Sequence, residues 1–505
     1  MWILVIQSID SQRTAYVVPT SFPSAVSTAV PGGNTPGLTG AALSDEQPAI
    51  VSTAAAATQT MFFTAGIYRR APGTALSSSK DRSYLQLLSD LHNANMSATS
   101  SVAGPQELLL QLLDPANRAN PYAVYEQFRD RGPMQLPDGN LTVFSSYRDC
   151  DEALRHPLSS VDRLNSTMAK RMFPDGARPR PLGPPMFLFL DPPDHTRLRK
   201  LVSKAFVPKV VNELTPHITE LVDGLLDRVA EQGRFDAVSG LAYPLPVTVI
   251  CRLLGVPLQD EAEFSRASAL LAQALDPFFM VTGQPAGGMD ERIQAGQWLR
   301  GYLHDLIAQH RAHPGDDLMS RLIAVEESGD QLAEDEIVST CSLLLIAGHE
   351  TTVNLISNGM LAMLRDRSQW TALGADAERA PAVIEETLRY DPPVQLVARI
   401  AGDDMTIGDT DVVKGDTMVL LLAAAQHDVS EFDQPGTFNP DRKAFRHLSF
   451  GRGLHFCLGA PLARLEAAIA LSAVTARFPD ARLDGEPVYK PNVTLRGLAS
   501  LEVVV

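Results

Sequence analysis

Along most of this chain, apolar residues recur every three or four positions over stretches of helical length, the spacing that turns one stripe of an α-helix toward a core. The pattern begins near Leu108 and holds to the C-terminus. Its longest run, Ile337 to Leu364 (IVSTCSLLLIAGHETTVNLISNGMLAML), predicts a buried helix interrupted at Gly348, His349, Glu350, Thr351 and Thr352. Further helices are predicted over Pro381 to Tyr390 and from Ala460 and Pro461, where proline suits a first turn. Short runs such as Leu141 to Phe144 and Thr417 to Leu421 read as strands. The expectation is a mainly α fold with a small β region, in one large helical domain over residues 96 to 505. Residues 1 to 95 follow no such pattern. Rich in Ala, Ser, Thr and Pro, as in VSTAAAATQT, they are expected to be a disordered N-terminal extension.

Composition agrees with a soluble globular chain: hydrophobic residues make up 45% and charged residues 20% of the 505, with mean hydropathy −0.03. A formal net charge of −16 disfavours nucleic acid and anionic membranes as partners. The apolar run Trp2 to Ile6 is far shorter than the roughly 20 residues of a membrane span and lacks the basic flank of a signal peptide. Cys150, Cys251, Cys341 and Cys457 are far apart in unrelated contexts, which speaks against a disulfide framework and for a reducing cytoplasm.

Candidate chemistry centres on Phe450 to Arg464, FGRGLHFCLGAPLAR. Gly451, Gly453 and Gly459 frame Cys457 and let backbone approach a flat, bulky ligand. The helix start that follows aims amides and a positive dipole end at the sulfur, which favours a thiolate, either a nucleophile or a metal ligand. The alternative is a buried cysteine acting as a small hydrophobe.

Elsewhere the patterns are weaker. In DPPDHTRLRK, Asp191 is a candidate N-cap, and His195 and Arg199 share a helical face on which both can meet one anion or simply face solvent. Glu350 and Thr351 in an apolar helix need partners or a function. A zinc-protease HExxH would require His at 353, where the chain has Val353. Glu386 and Arg389 stand three apart, a spacing common on solvated faces. Phe278, Phe279 and Met280 cluster before a Gly- and Pro-rich break between two helical patterns.

The cysteine stretch matches FGxGxHxCxGxxLAR at every fixed position and so resembles the haem-binding loop of the cytochrome P-450 superfamily. Met96 opens a segment similar to the beginning of soluble bacterial members, which implies a start near that residue. The resemblance implies haem b (iron protoporphyrin IX) with Cys457 as axial iron ligand, and His195, Arg199, Arg399 and His455 as further cofactor-binding residues. Ala347, Gly348, Glu350 and Thr351 match (A/G)Gx(D/E)T. In that motif Gly348 leaves room for O2, the Thr351 hydroxyl opens the helix locally, and Glu350 and Thr351 are the catalytic acid and alcohol. PAVIEETLRY and FNPDR resemble the segments in which Glu386, Arg389 and Arg442 form a structural ion network. Val429 and Asn439 depart from the usual residues without touching the chemistry. Leu344, Ala347, Val394 and Leu396 are implied pocket-lining positions, with the 278–280 cluster on a lid.

The implied activity is a haem-thiolate monooxygenase that activates O2 and inserts one oxygen atom into a hydrophobic organic substrate. A peroxide-driven peroxygenase and a non-catalytic haem-binding sensor are the alternatives. The chain carries no dinucleotide fingerprint, and three further cysteines cannot hold a four-ligand iron-sulfur cluster. Electrons from NAD(P)H are therefore expected indirectly, through a ferredoxin and its reductase, delivered to a monomer. Arg442, Lys443, Arg446 and Arg452 form a candidate docking patch.

Overall fold

The computed structural model describes residues 104–136, 140–172, 183–272, 288–327, 332–443 and 445–505. The expected extension, Met96 and the 278–280 cluster lie outside these residues. Helices α1 (Pro105–Leu113) and α2 (Tyr122–Arg131) precede strands β1 (Met134–Leu136) and β2 (Leu141–Phe144), and helix α3 (Tyr147–Arg155) leads into strand β3 (Ser159–Ser160). A helical stretch follows: α4 (Asp194–Ser203), α5 (Thr215–Ala230), α6 (Pro244–Leu254), α7 (Glu261–Ala272), α8 (Met289–Ala312), α9 (Glu334–Arg365), α10 (Arg367–Ala375) and α11 (Ala380–Tyr390). Strands β4 (Val397–Ala401) and β5 (Thr417–Leu420) then complete a sheet, and α12 (Ala460–Arg477) follows the cysteine loop.

The sheet runs β1-β2-β5-β4-β3. Its one parallel pair joins the two strands predicted from sequence, with Leu141 opposite Thr417 and Phe144 opposite Leu420. Every residue of β2 and β5 is buried, as expected of strands covered on both faces. The fold is mainly α with small sheets, as the periodicity implies.

Helix α9, 32 residues long, is the central rod against which α6, α8, α11 and α12 pack. Burying each of its Leu and Ile side chains is worth about 1.5–3 kcal/mol, which explains why an apolar run with few helix-specific signals folds as one continuous helix. Close approach needs small residues where helices cross. A Cβ on Gly359 would lie 3.1 Å from Leu471 Cδ1 of α12, and one on Gly348 would lie 3.2 Å from Ile250 Cδ1 of α6. The missing side chain at Gly348 thus makes room for a neighbouring helix. Asp191 is not the cap of α4. Two prolines separate it from the helix, and its carboxylate instead accepts hydrogen bonds from the Ser160 hydroxyl and, at 3.0 Å, from the Val161 amide beside β3.

Candidate functional site

The loop carrying Cys457 is pinned by its own backbone. The Cys457 amide donates to Phe450 O at 2.8 Å and the Gly451 amide to Leu448 O at 2.8 Å, closing a tight turn between them. Gly453 has φ +66°, and a Cβ there would meet Leu154 O at 3.0 Å, so only glycine fits both the torsion and the space. Beyond the cysteine, α12 begins with Pro461 in its first turn, and the Gly459 and Ala460 amides point at the sulfur. Burial pushes the free Cys457 thiol above its ordinary value despite those amides and the nearby Arg199 and Arg464. The helix start favours a thiolate, as expected, but desolvation outweighs it, and a bound metal would have to displace the proton.

Around this sulfur the fold collects basic side chains with few acidic partners. His195 is buried, and neither ring nitrogen has a hydrogen-bond partner; its ring centroid lies 4.1 Å from that of His455. Arg199, one turn along α4, donates to Phe456 O beside the cysteine. Buried Arg399, on β4, is pushed down to about 10 by desolvation and by Arg163, which burial also lowers to about 10. Desolvation, then His195, Arg399 and Arg199, push His455 down to about 3. His195, Arg199, Arg399 and His455, scattered over some 260 positions, thus meet beside Cys457 with a surplus of positive charge. The donor set fits a ligand bearing carboxylates, as haem does through its propionates. Arg163 belongs to the same group, and nothing in its sequence context, SSVDRLN, signals it.

Helix α9 passes this region with its one gap in burial. Residues on either side, through Ile346 and from Thr352, are buried, whereas Ala347 is exposed and Gly348, Glu350 and Thr351 are half-buried. Exposure midway along a covered helix means that a hollow opens beside it. The Thr351 hydroxyl donates to Ala347 O at 2.8 Å, yet α9 stays continuous, so the expected local opening is absent. Glu350 is paired with Lys490 from the C-terminal region, Nζ to Oε1 at 2.8 Å. Of the implied lining positions, Ala347 faces this hollow, Val394 is half-buried, and Leu396 packs in a core cluster with Leu108, Leu112 and Val419.

The structure brings Glu386, Arg389 and Arg442 together. Arg389 grips Glu386 at 2.9 and 2.7 Å, Arg442 Nε reaches Glu386 Oε1 at 3.0 Å, and the side chains of Glu386 and Arg389 are fully buried. Arg389 also donates to the carbonyls of Gln426, Pro435 and Thr437, so the network holds the segment that leads into the cysteine loop.

Comparison with known proteins sets this arrangement among relatives. The cytochrome P450 family model matches residues 180–489. The chain belongs to the cytochrome P450 family. It is 40% identical over 394 residues to the vitamin D(3) 25-hydroxylase of Pseudonocardia autotrophica, covering 76% of this chain and 94% of that one. It is 39% identical over 414 residues to the cytochrome P450 monooxygenase PikC of Streptomyces venezuelae, covering 80% and 95%. Among solved structures, Mycobacterium smegmatis CYP164A2 with econazole bound is 64% identical with a TM-score of 0.77, covering 79% of this chain and all of that one (100%). The protein is thus a cytochrome P450 monooxygenase, and haem is the cofactor its family implies.

Two features of this P450 escape its motifs. Glu385, next to the network glutamate, takes hydrogen bonds from Arg464 at 2.6 and 3.0 Å and from His447 at 3.1 Å, and so ties α11 to both ends of the cysteine loop. The candidate docking patch needs correction as well. Arg442 is held by Glu386, and Arg452 by Asp151 at 3.1 Å and the Tyr147 hydroxyl at 3.2 Å, which leaves Lys443 and Arg446 as its exposed members.

Proposed function

We propose that this P450 inserts one oxygen atom of O2 into a large apolar organic substrate, with electrons from a separate ferredoxin and its NAD(P)H-dependent reductase, in the cytoplasm. The balance is substrate, O2, two electrons and two protons in; hydroxylated product and water out. When bound, haem supplies the iron at which O2 is reduced and its O–O bond cleaved. Cys457 would hold the haem iron through its sulfur, kept in place by the Phe450 carbonyl and the amides that open α12. His195, Arg199, Arg399 and His455 hold the propionates, with Arg163 in support. On the α9 side, Thr351 would present its hydroxyl and Glu350 would relay protons from water into the hollow between them. Glu386, Arg389 and Arg442 keep the loop in register.

The observation that carries this reading is the convergence of His195, Arg199, Arg399 and His455 around a single cysteine, with both ring nitrogens of His195 left without a hydrogen-bond partner. A large apolar substrate is supported by two relatives, one named for hydroxylating vitamin D(3) and one holding econazole. The test is the reduced carbon monoxide complex: the wild type gives the red-shifted Soret band of sulfur ligation, and Cys457→His moves it to the position of a nitrogen ligand. A wild type without that band would refute the assignment. Turnover with ferredoxin and reductase, compared with peroxide alone, separates a monooxygenase from a peroxygenase, and a sensor turns over with neither.

A further inference from the structure

Glu350 has a partner that no motif foretells. The strand pair Val488–Tyr489 and Leu498–Ser500 forms a C-terminal hairpin, continued by the Lys490 amide donating to Gly497 O at 3.0 Å. That hairpin presses on α9 at Asn354, where a Cβ on Gly497 would fall 1.9 Å from Asn354 Oδ1. The contact lays Lys490 along one face of the helix. Its ammonium donates to Glu350 Oε1 at 2.8 Å and to Asn354 Oδ1 at 3.1 Å, acceptors one helical turn apart. The pair is mostly covered, with 21% of the lysine and 15% of the glutamate side chain exposed. The other groups near the carboxylate are engaged or neutral. Burial pushes His349 down to about 4, its ring meets Tyr243 edge-on at 4.8 Å, and the Tyr243 hydroxyl donates to Glu261 at 3.0 Å.

We propose that Lys490 is a positioning residue for proton delivery by Glu350. This rests on the reading of Glu350 as the acid above. Lys490 fixes one carboxylate oxygen toward the hairpin and leaves the other to serve the hollow beside Thr351. Being partly exposed, the ammonium also keeps the paired carboxylate in contact with solvent, from which Glu350 takes up each proton that it passes inward while Lys490 stays charged. The overall balance of two protons and two electrons per O2 is unchanged; Lys490 sets only the route. A simple surface ion pair would leave coupling unchanged.

The test uses the full-length holoenzyme with a surrogate ferredoxin and reductase, comparing Lys490→Met, Lys490→Arg, Glu350→Gln and the double variant Lys490→Met/Glu350→Gln. In Lys490→Met, product per NAD(P)H falls about five-fold, hydrogen peroxide rises to match, and the solvent isotope effect on turnover changes. Its carbonyl Soret band and substrate-induced spin shift stay as in wild type. Lys490→Arg restores most of the coupling, and the double variant couples no worse than Glu350→Gln. Wild-type coupling in Lys490→Met, no rescue by arginine, or additive losses in the double variant would each overturn the proposal. If Glu350→Gln itself couples like wild type while the carbonyl band persists, the acid assignment fails with Lys490 and the haem-thiolate reading survives.

Discussion

Arg399 shows how a binding residue can work against its own fold. Its guanidinium is buried beside Arg163, and the nearby carboxylate, Asp191, is engaged by Ser160 and Val161. Desolvating a charge without a dedicated counter-charge is costly, and the cost is offset only when an anionic ligand arrives. Arg399→Met should therefore stabilise the haem-free protein by about 1 kcal/mol in urea unfolding, a typical gain when a poorly paired buried charge gives way to an apolar side chain. The same variant should lose haem to apomyoglobin about ten-fold faster, the counterpart of one charge-assisted hydrogen bond. A haem-free protein that is less stable than wild type would mean that Arg399 serves folding and not the ligand. The site is legible at this scale where residues lie close in sequence: Cys457 and His455 stand two apart in one loop, and His195 and Arg199 one turn apart on α4. Arg163 was not legible, because what makes it part of the site is burial beside Arg399, more than two hundred positions away.

Helices α11 and α12 carry two buried or half-buried glutamates with opposite consequences. Burial alone would raise Glu385, but hydrogen bonds from His447 and Arg464 hold it down at about 2. With the folded value below the ordinary 4.5, its contribution is present above pH 4.5 and is lost as pH falls from there toward 2. Urea midpoints of wild type and Glu385→Gln should converge over that acid range and differ at neutral pH. Glu466 on α12 is the reverse. It is buried, its Oε2 has no hydrogen-bond partner, and desolvation pushes it up to about 8. The fold keeps its proton after the unfolded chain has released it, so the group lowers stability increasingly as pH rises from 4.5 to about 8. Glu466→Gln, a neutral isostere, should raise the urea midpoint at pH 8 and leave it unchanged at pH 4; an equal shift at both would make packing the cause. Pattern alone located these helices, since α9, α11 and α12 follow their periodicity within a few residues. It misassigned Asp191 because a cap depends on which neighbour arrives. It missed the ties of Glu385 to Arg464, 79 positions apart, and of Glu350 to Lys490, 140 apart, because nothing local requires them.

At the scale of the whole molecule, charge is divided unevenly. The chain totals −16, yet exposed Lys443 and Arg446 precede the cysteine loop, and α4, whose Arg199 touches Phe456, carries exposed Lys200. Nearby Leu454 and Phe456 are exposed apolar side chains, so this face offers an apolar centre with a basic margin. Such a surface suits an acidic partner: like charges elsewhere on the molecule disfavour other orientations, while the basic margin steers encounter. Arg442 and Arg452 contribute little, since each is taken by a carboxylate of the chain itself. Reversing Lys443 and Arg446 to Glu should slow reduction by an acidic ferredoxin about ten-fold at low salt, measured by stopped flow under carbon monoxide. Because these charges face solvent, the deficit should shrink once the screening length falls well below about 10 Å, near 1 M salt. Arg452→Glu would also unpair Asp151, so its slowed reduction could not be separated from local unfolding; Lys443 and Arg446, with no ion pair among the described residues, avoid that confusion. Reduction rates equal to wild type at low salt would move the docking site off this face, and a deficit that persists in high salt would place the loss in electron transfer within the complex instead of in encounter.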